Sequence, residues 1–222
     1  MVDQIDPRAV EEITRRVVER LAREAPQVAG DRKLVRIGVS VRHVHLCQED
    51  LERLFGPGFR LEPRNELYQQ GEFAAKSVVT LVGPRMRCMD QVRILGPLRS
   101  KTQVELARTD AIFLGLDPPV RPSGNHEGTP GIIVVGPVGV IHLRDGVLRA
   151  NRHIHMGTAE AERWGIVDNG KVRVRIANAQ KVTIFGDVQV RVRPNYRTEI
   201  HLDTDDANAA SASTGDFAEI ID

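Results

Sequence analysis

RHVHL at Arg42–Leu46 returns, slightly altered, as RHIHM at Arg152–Met156. In an extended strand, residues two apart face the same side, so His43 converges with His45 and His153 with His155. A short helical pattern follows each pair, CQEDLERLFG after the first and GTAEAERWGI after the second. The two units align without a gap. They share the arginine, both histidines, the apolar residue after them and a Glu-Arg in the helix. Such a repeat points to duplication of a barrel-like half, with convergence on one useful turn as the other explanation.

Outward from these units the chain is a series of short β-branched runs broken by Gly and Pro, among them LVRIGVSV, KSVVTLVG, DQVRILG, GIIVVG, KVRVRI, VTIFGDVQVRV and TEIHLD. This pattern predicts a mainly β fold with two short helices. The start of the chain differs. Asp6 can cap a helix, Pro7 suits its first turn, and Val10, Ile13, Val17 and Leu21 recur at helical spacing up to Pro26. The stretch PQVAGDRK then reads as a linker. This amphipathic helix is expected either to pack on the body or on a partner subunit, as in a homodimer, or to act as an address tag docking in a groove.

Composition removes several classes. With 31 basic and 30 acidic residues in 222, a formal charge of +1 gives no broad electrostatic case for nucleic acid or anionic membrane. The longest apolar stretches fall short of the ~20 residues of a membrane helix. The acidic residues spread through the first segment argue against a signal peptide, so export is not expected. Cys47 and Cys88 form no CxxC pair, and the simpler setting is a reducing cytoplasm. Cys47, beside a histidine pair, reads as an ordinary free thiol rather than a ligand.

Four of 7 histidines in two matched pairs point to metal, each pair gripping one ion. Imidazole without a soft cysteine set makes zinc the default. A third ligand is still needed, and Glu49, Glu105, His142 and His201 are the candidates. The stretch Gly38–Gly56 nearly satisfies the first cupin motif and Gly131–Gly146 the second, which would gather His43, His45, Glu49 and His142 around one metal in an oxygenase or small-ligand binder. That reading leaves RHIHM and the histidine of IHLDTDDANAA unexplained, and its gap between motifs is long.

VSVRHVHL, LYQQGEFAAKSVVTLVGP, VRILGPLRSKTQVELARTDA, RPSGNHEGTPG, NRHIHM and EIHLDTDDANA occur in that order. Together they resemble the PduL-type phosphate acyltransferases of bacterial microcompartments, which interconvert acyl-CoA plus phosphate with acyl phosphate plus coenzyme A. The resemblance implies two β-barrel halves: 31–41 with 151–222 as the first and 42–150 as the second, with 1–30 an N-terminal helix and linker. It implies two zinc ions per chain, one held by His43, His45 and Glu105, the other by His153, His155 and His201. It further implies coenzyme A contacts at Ser40, Arg93, Leu95 and Asn208, with Arg99 binding phosphate. Propanoyl is the family's usual acyl group. In members inside microcompartments the N-terminal helix directs encapsulation, which would make shell or core proteins its partners.

Overall fold

The computed structural model describes residues 32–222, so the helix expected within 1–30 lies outside the described residues. The chain starts with β1 (Lys33–Ser40), β2 (His43–His45), α1 (Gln48–Phe55), β3 (Pro63–Glu66), β4 (Phe73–Val82), β5 (Cys88–Gly96) and β6 (Gln103–Glu105). It goes on through α2 (Arg108–Leu114), β7 (Val120–Arg121), β8 (Ile132–Val135), β9 (Val140–Leu143) and β10 (Val147–Ala150). The last part comprises β11 (His153–Met156), α3 (Thr158–Trp164), β12 (Lys171–Ala177), β13 (Val182–Val192), β14 (Glu199–Asp203), α4 (Thr204–Ala210) and β15 (Phe217–Ile220).

Two sheets organise these strands, and the fold is mainly β as expected. One closes into a barrel in the order β1, β14, β11, β13, β12, β15. The other runs β7, β10, β6, β2, β5, β4, β8, β9, with β3 paired to β4. This second sheet curls into a half-barrel without closing. The chain therefore leaves the barrel after β1, builds the entire second sheet, and returns at β11. Both crossings, at 41–42 and 151–152, sit immediately before an HxH strand. The histidine pairs thus lie where the sheets join, and Leu34–Asp222 form one compact unit.

Alternation explains most strands. In β12, Val172, Val174 and Ile176 point inward while the basic residues between them are more exposed. The HxH strands are different, with every residue of β2 and β11 buried. One face of each looks into a hydrophobic core and the other into the site. Val44 and Leu46 join Leu51, Leu54, Leu81 and Ile94 in one core, and Ile154 and Met156 join Ile37, Val174, Val190 and Ile200 in the second. Each fully buried aliphatic side chain contributes about 1.5 to 3 kcal/mol, so the strands carrying the histidines are anchored from behind.

The helices end for local reasons. Gly115 closes α2 and Gly165 closes α3, both in the left-handed region at φ 86 and 68, a conformation that glycine adopts without penalty. At its start α4 is capped by Asp203, whose Oδ1 accepts from the Asp206 amide at 2.8 Å.

Candidate active site

Strand pairing supplies what the histidine pairs lacked. β2 runs antiparallel to β6 with His43 opposite Glu105, and β11 runs antiparallel to β14 with His153 opposite His201. Each sheet therefore repeats one arrangement: an HxH strand beside a strand that offers one further donor. The donor atoms of His43, His45 and Glu105 all lie within 4.8 Å of one another, as do those of His153, His155 and His201.

The arginine before each pair has a counterpart too. Arg42 Nη1 donates to Asp110 Oδ1 at 3.0 Å, and Arg152 Nε lies 3.5 Å from Asp206 Oδ2. These aspartates stand at the same distance along the chain after Glu105 and His201. Each arginine straps its HxH strand to the helix that follows the third donor. Burial raises the pKa of both aspartates, and the arginine opposes that shift in each case.

Tautomers follow from hydrogen bonding. His43 Nδ1 lies 2.8 Å from the Val41 carbonyl and His153 Nδ1 2.8 Å from that of Asn151. A carbonyl only accepts, so both Nδ1 atoms carry the proton and each Nε2 keeps a lone pair. His43 Nε2 then faces Glu105 Oε2 at 3.5 Å, and His45 Nε2 faces Glu105 Oε1 at 3.8 Å. For His43 this sets an acceptor against an acceptor, which a cation between them resolves. In the other trio, burial pushes His153 well below the ordinary imidazole range, His155 down to about 4 and His201 down to about 3. Burial also lowers His45 strongly. Neutral imidazoles are the ligand form, so both trios fit a borderline-soft divalent ion such as zinc.

Surrounding groups hold these donors. Ser123 Oγ donates to Glu105 Oε1 at 2.9 Å and accepts from Arg99 Nη1 and Gln103 Nε2, each at 2.8 Å. Gln103 Nε2 also reaches Glu105 Oε1 at 2.6 Å. In the barrel, His155 stacks on Tyr196 with ring centroids 4.2 Å apart, and Glu199 Oε2 lies 3.4 Å from His201 Nε2. Arg36 Nη1 donates to Glu199 Oε1 at 2.6 Å. Gly38 makes room for that carboxylate, since a Cβ there would stand 2.7 Å from Glu199 Cδ.

Both trios line a single cavity of about 790 Å³, together with Ser40, Arg93, Leu95, Arg99, Arg191 and Tyr68. Of the residues matched to coenzyme A contacts, Ser40, Arg93 and Leu95 are at this cavity, while Asn208 is exposed on α4 and outside the lining. Arg93 already donates from Nη1 to the carbonyls of Ala75 and Lys76. The cupin set is not assembled. His142 is exposed on β9, and Glu49, its side chain 71% exposed, pairs with Arg53. Cys47 joins neither trio; its Sγ lies 3.4 Å from Asp50 Oδ2.

A family model described as phosphate propanoyltransferase matches residues 36–213, which takes in the whole second sheet, the barrel apart from β15 and the start of β1, and every residue of the two trios. The chain belongs to the phosphate propanoyltransferase family. It is 49% identical over 200 residues to the phosphate propanoyltransferase of Thermotoga maritima, covering 90% of this chain and 95% of that one. It is 43% identical over 212 residues to that of Lachnoclostridium phytofermentans, covering 96% and 98%. With the Salmonella typhimurium protein it shares 46% over 186 residues, covering 83% and 88%. Membership in the phosphate propanoyltransferase family makes the chain an acyltransferase and accords with acyl-CoA and phosphate as its substrates. Among the described residues no helix is long and apolar enough to cross a membrane.

Sequence reasoning missed Arg191, Glu199 and Ser123. One signal for the third donors was available: VELARTDA and IHLDTDDA share the donor, the following leucine and an Asp-Ala at matching positions. This is a second repeated unit.

Proposed function

We propose that the chain moves a propanoyl group between coenzyme A and phosphate, by direct attack of phosphate on the thioester, with one zinc held by His43, His45 and Glu105 and a second by His153, His155 and His201. The observation that carries this reading is the convergence of two lone-pair-presenting trios and the Arg99 guanidinium on one cavity. Propanoyl is taken from the names of the relatives.

Phosphate is already an anionic nucleophile, so no serine or cysteine attack is required. Arg99, its Nη1 fixed on Ser123, turns the rest of its planar fork to the phosphate oxygens and sets the attacking oxygen against the carbonyl carbon. The new C–O bond forms as the carbonyl π pair moves onto oxygen; the tetrahedral intermediate then collapses, the C–S bond breaks, and coenzyme A leaves with the electron pair as thiolate. Zinc held by the two trios would supply Lewis-acid stabilisation of the oxyanion and a soft partner for the thiolate. Ser40, Arg93 and Leu95 line the approach and receive the pantetheine arm, while Asn208, exposed on α4, meets the nucleotide end outside the cavity.

The segment 1–30 is read as an appendage to the two β halves, serving assembly through a homodimer or through proteins of a microcompartment. The test of the activity is release of free thiol from propanoyl-CoA with and without phosphate. Release only with phosphate, with acyl phosphate formed in equal amount, supports the reading; equal release without phosphate makes the protein a hydrolase.

A further inference from the structure

Arg191 lies on β13 in register with His155, half-buried and lining the cavity from the barrel side. Its Nη2 donates to Asn151 Oδ1 at 3.0 Å, and Asn151 is itself held by Gln189 Oε1 at 2.8 Å. That partner is a neutral amide. Among the described residues Arg191 forms no ion pair, and neither does Arg99, whose Nη1 meets only the Ser123 hydroxyl. A half-buried cation with no carboxylate in direct contact is costly to the fold unless a ligand supplies a counter-charge.

The repeat shows that the scaffold does not need this charge. β5 and β13 are both the parallel neighbours of HxH strands, with His43 opposite Arg93 and His153 opposite Gln189. Two positions further along each strand stand Leu95 in the one and Arg191 in the other. The same place in the framework is thus filled by an apolar side chain in one half and a guanidinium in the other. Arg191 stands in register with His155 of the barrel trio, while Arg99 reaches the second trio through Ser123, which donates to Glu105. Both guanidinium side chains line the one cavity that the two trios share.

We infer that Arg191 completes a two-guanidinium clamp with Arg99 on the phosphate group, one arginine from each half of the fold. A phosphate dianion has more oxygens than one fork can take, and a second fork from the barrel neutralises the remaining charge. The diphosphate of coenzyme A is the other anion of the reaction. The pantetheine arm holds it well away from the thioester, whereas Arg191 stands beside the trio. This inference rests on the acyl-transfer reading above.

The experiment uses the full-length zinc-loaded chain, with inorganic phosphate titrated calorimetrically and steady-state constants measured for wild type, R191Q and R191K. The expected result for R191Q is phosphate affinity weakened about 10- to 100-fold, with the phosphate KM raised in step. The propanoyl-CoA KM and zinc content stay at wild-type values. R191K, which keeps the charge but not the fork, falls between the two. Wild-type phosphate affinity in both variants overturns the inference. So does a rise confined to the propanoyl-CoA KM, or a fall in kcat with both KM values unchanged. If R191Q sheds zinc or melts early, R191K decides, and unchanged phosphate affinity there overturns the clamp. A wild-type chain that neither binds phosphate nor depends on it sinks the acyl-transfer reading itself.

Discussion

Arg99 and Glu105 meet on one hydroxyl: Ser123 accepts from the Arg99 Nη1 at 2.8 Å and donates to Glu105 Oε1 at 2.9 Å. A hydroxyl has one proton and two lone pairs, and Gln103 Nε2 takes the remaining position at 2.8 Å, so its capacity is full. Position of the phosphate-binding candidate is thereby coupled to position of a ligand candidate. Ser123→Ala should lower kcat/KM about tenfold or more, because three polar groups lose a shared partner at a cost of about 1 to 3 kcal/mol. The phosphate KM should rise while the overall fold persists. Steady-state kinetics with a melting curve check this; wild-type kinetics remove Ser123 from the machinery.

The Gly38 site predicts a coupling. Gly38→Ala forces the Glu199 carboxylate from a place it occupies beside Arg36 and His201, and should cost about 1 to 3 kcal/mol. For a chain of this size that lowers Tm by about 2 to 4 °C per kcal/mol. Glu199→Ala opens the space, so the double variant should lose less than the sum of the singles. Simple additivity in thermal melts would show that the two positions do not collide.

Acidification should destabilise the metal-free protein. His155 and His201 hold folded-state pKa values of about 4 and about 3, against about 6.5 for an unfolded histidine. Between those values the unfolded chain binds more protons than the folded one, so stability falls as pH drops below about 6.5. Each histidine contributes a slope of about 1.4 kcal/mol per pH unit until its folded pKa is reached. Denaturant melts of the metal-stripped chain from pH 7 to 5 should show this decline, and His155→Gln should shallow it. Equal slopes in the two proteins would contradict neutral burial of His155.

The paired histidines were legible because a period of two depends only on neighbours along the chain, and the β-branched runs carried the fold class for the same reason. Third donors are a matter of register between distant strands. From residue types alone Glu49, Glu105, His142 and His201 were equal, and pairing of β2 with β6 and of β11 with β14 separates them. Glu49 is turned to solvent with Arg53. Arg191 in VQVRV and Glu199 in TEIHLD read as ordinary strand positions, since what distinguishes them is a neighbour from another strand. Asn208 matched a motif but stands exposed, because α4 turns its apolar face, Ala207 and Ala210, inward.

Removal of Met1–Ala25 should leave metal binding and acyl transfer within about twofold of the full chain, since every donor discussed lies beyond it. Assembly should change, read as oligomeric mass by light scattering. A truncated chain that fails to retain zinc would place the N-terminal segment in the structural core instead.

Zinc stoichiometry by native mass spectrometry, measured on wild type, His45→Ala and His155→Ala, tests the central claim most directly. The two-trio site predicts two zinc ions per wild-type chain and one in each variant, since each substitution empties only its own trio. A single zinc in the wild type, or a count unchanged by both substitutions, would contradict it.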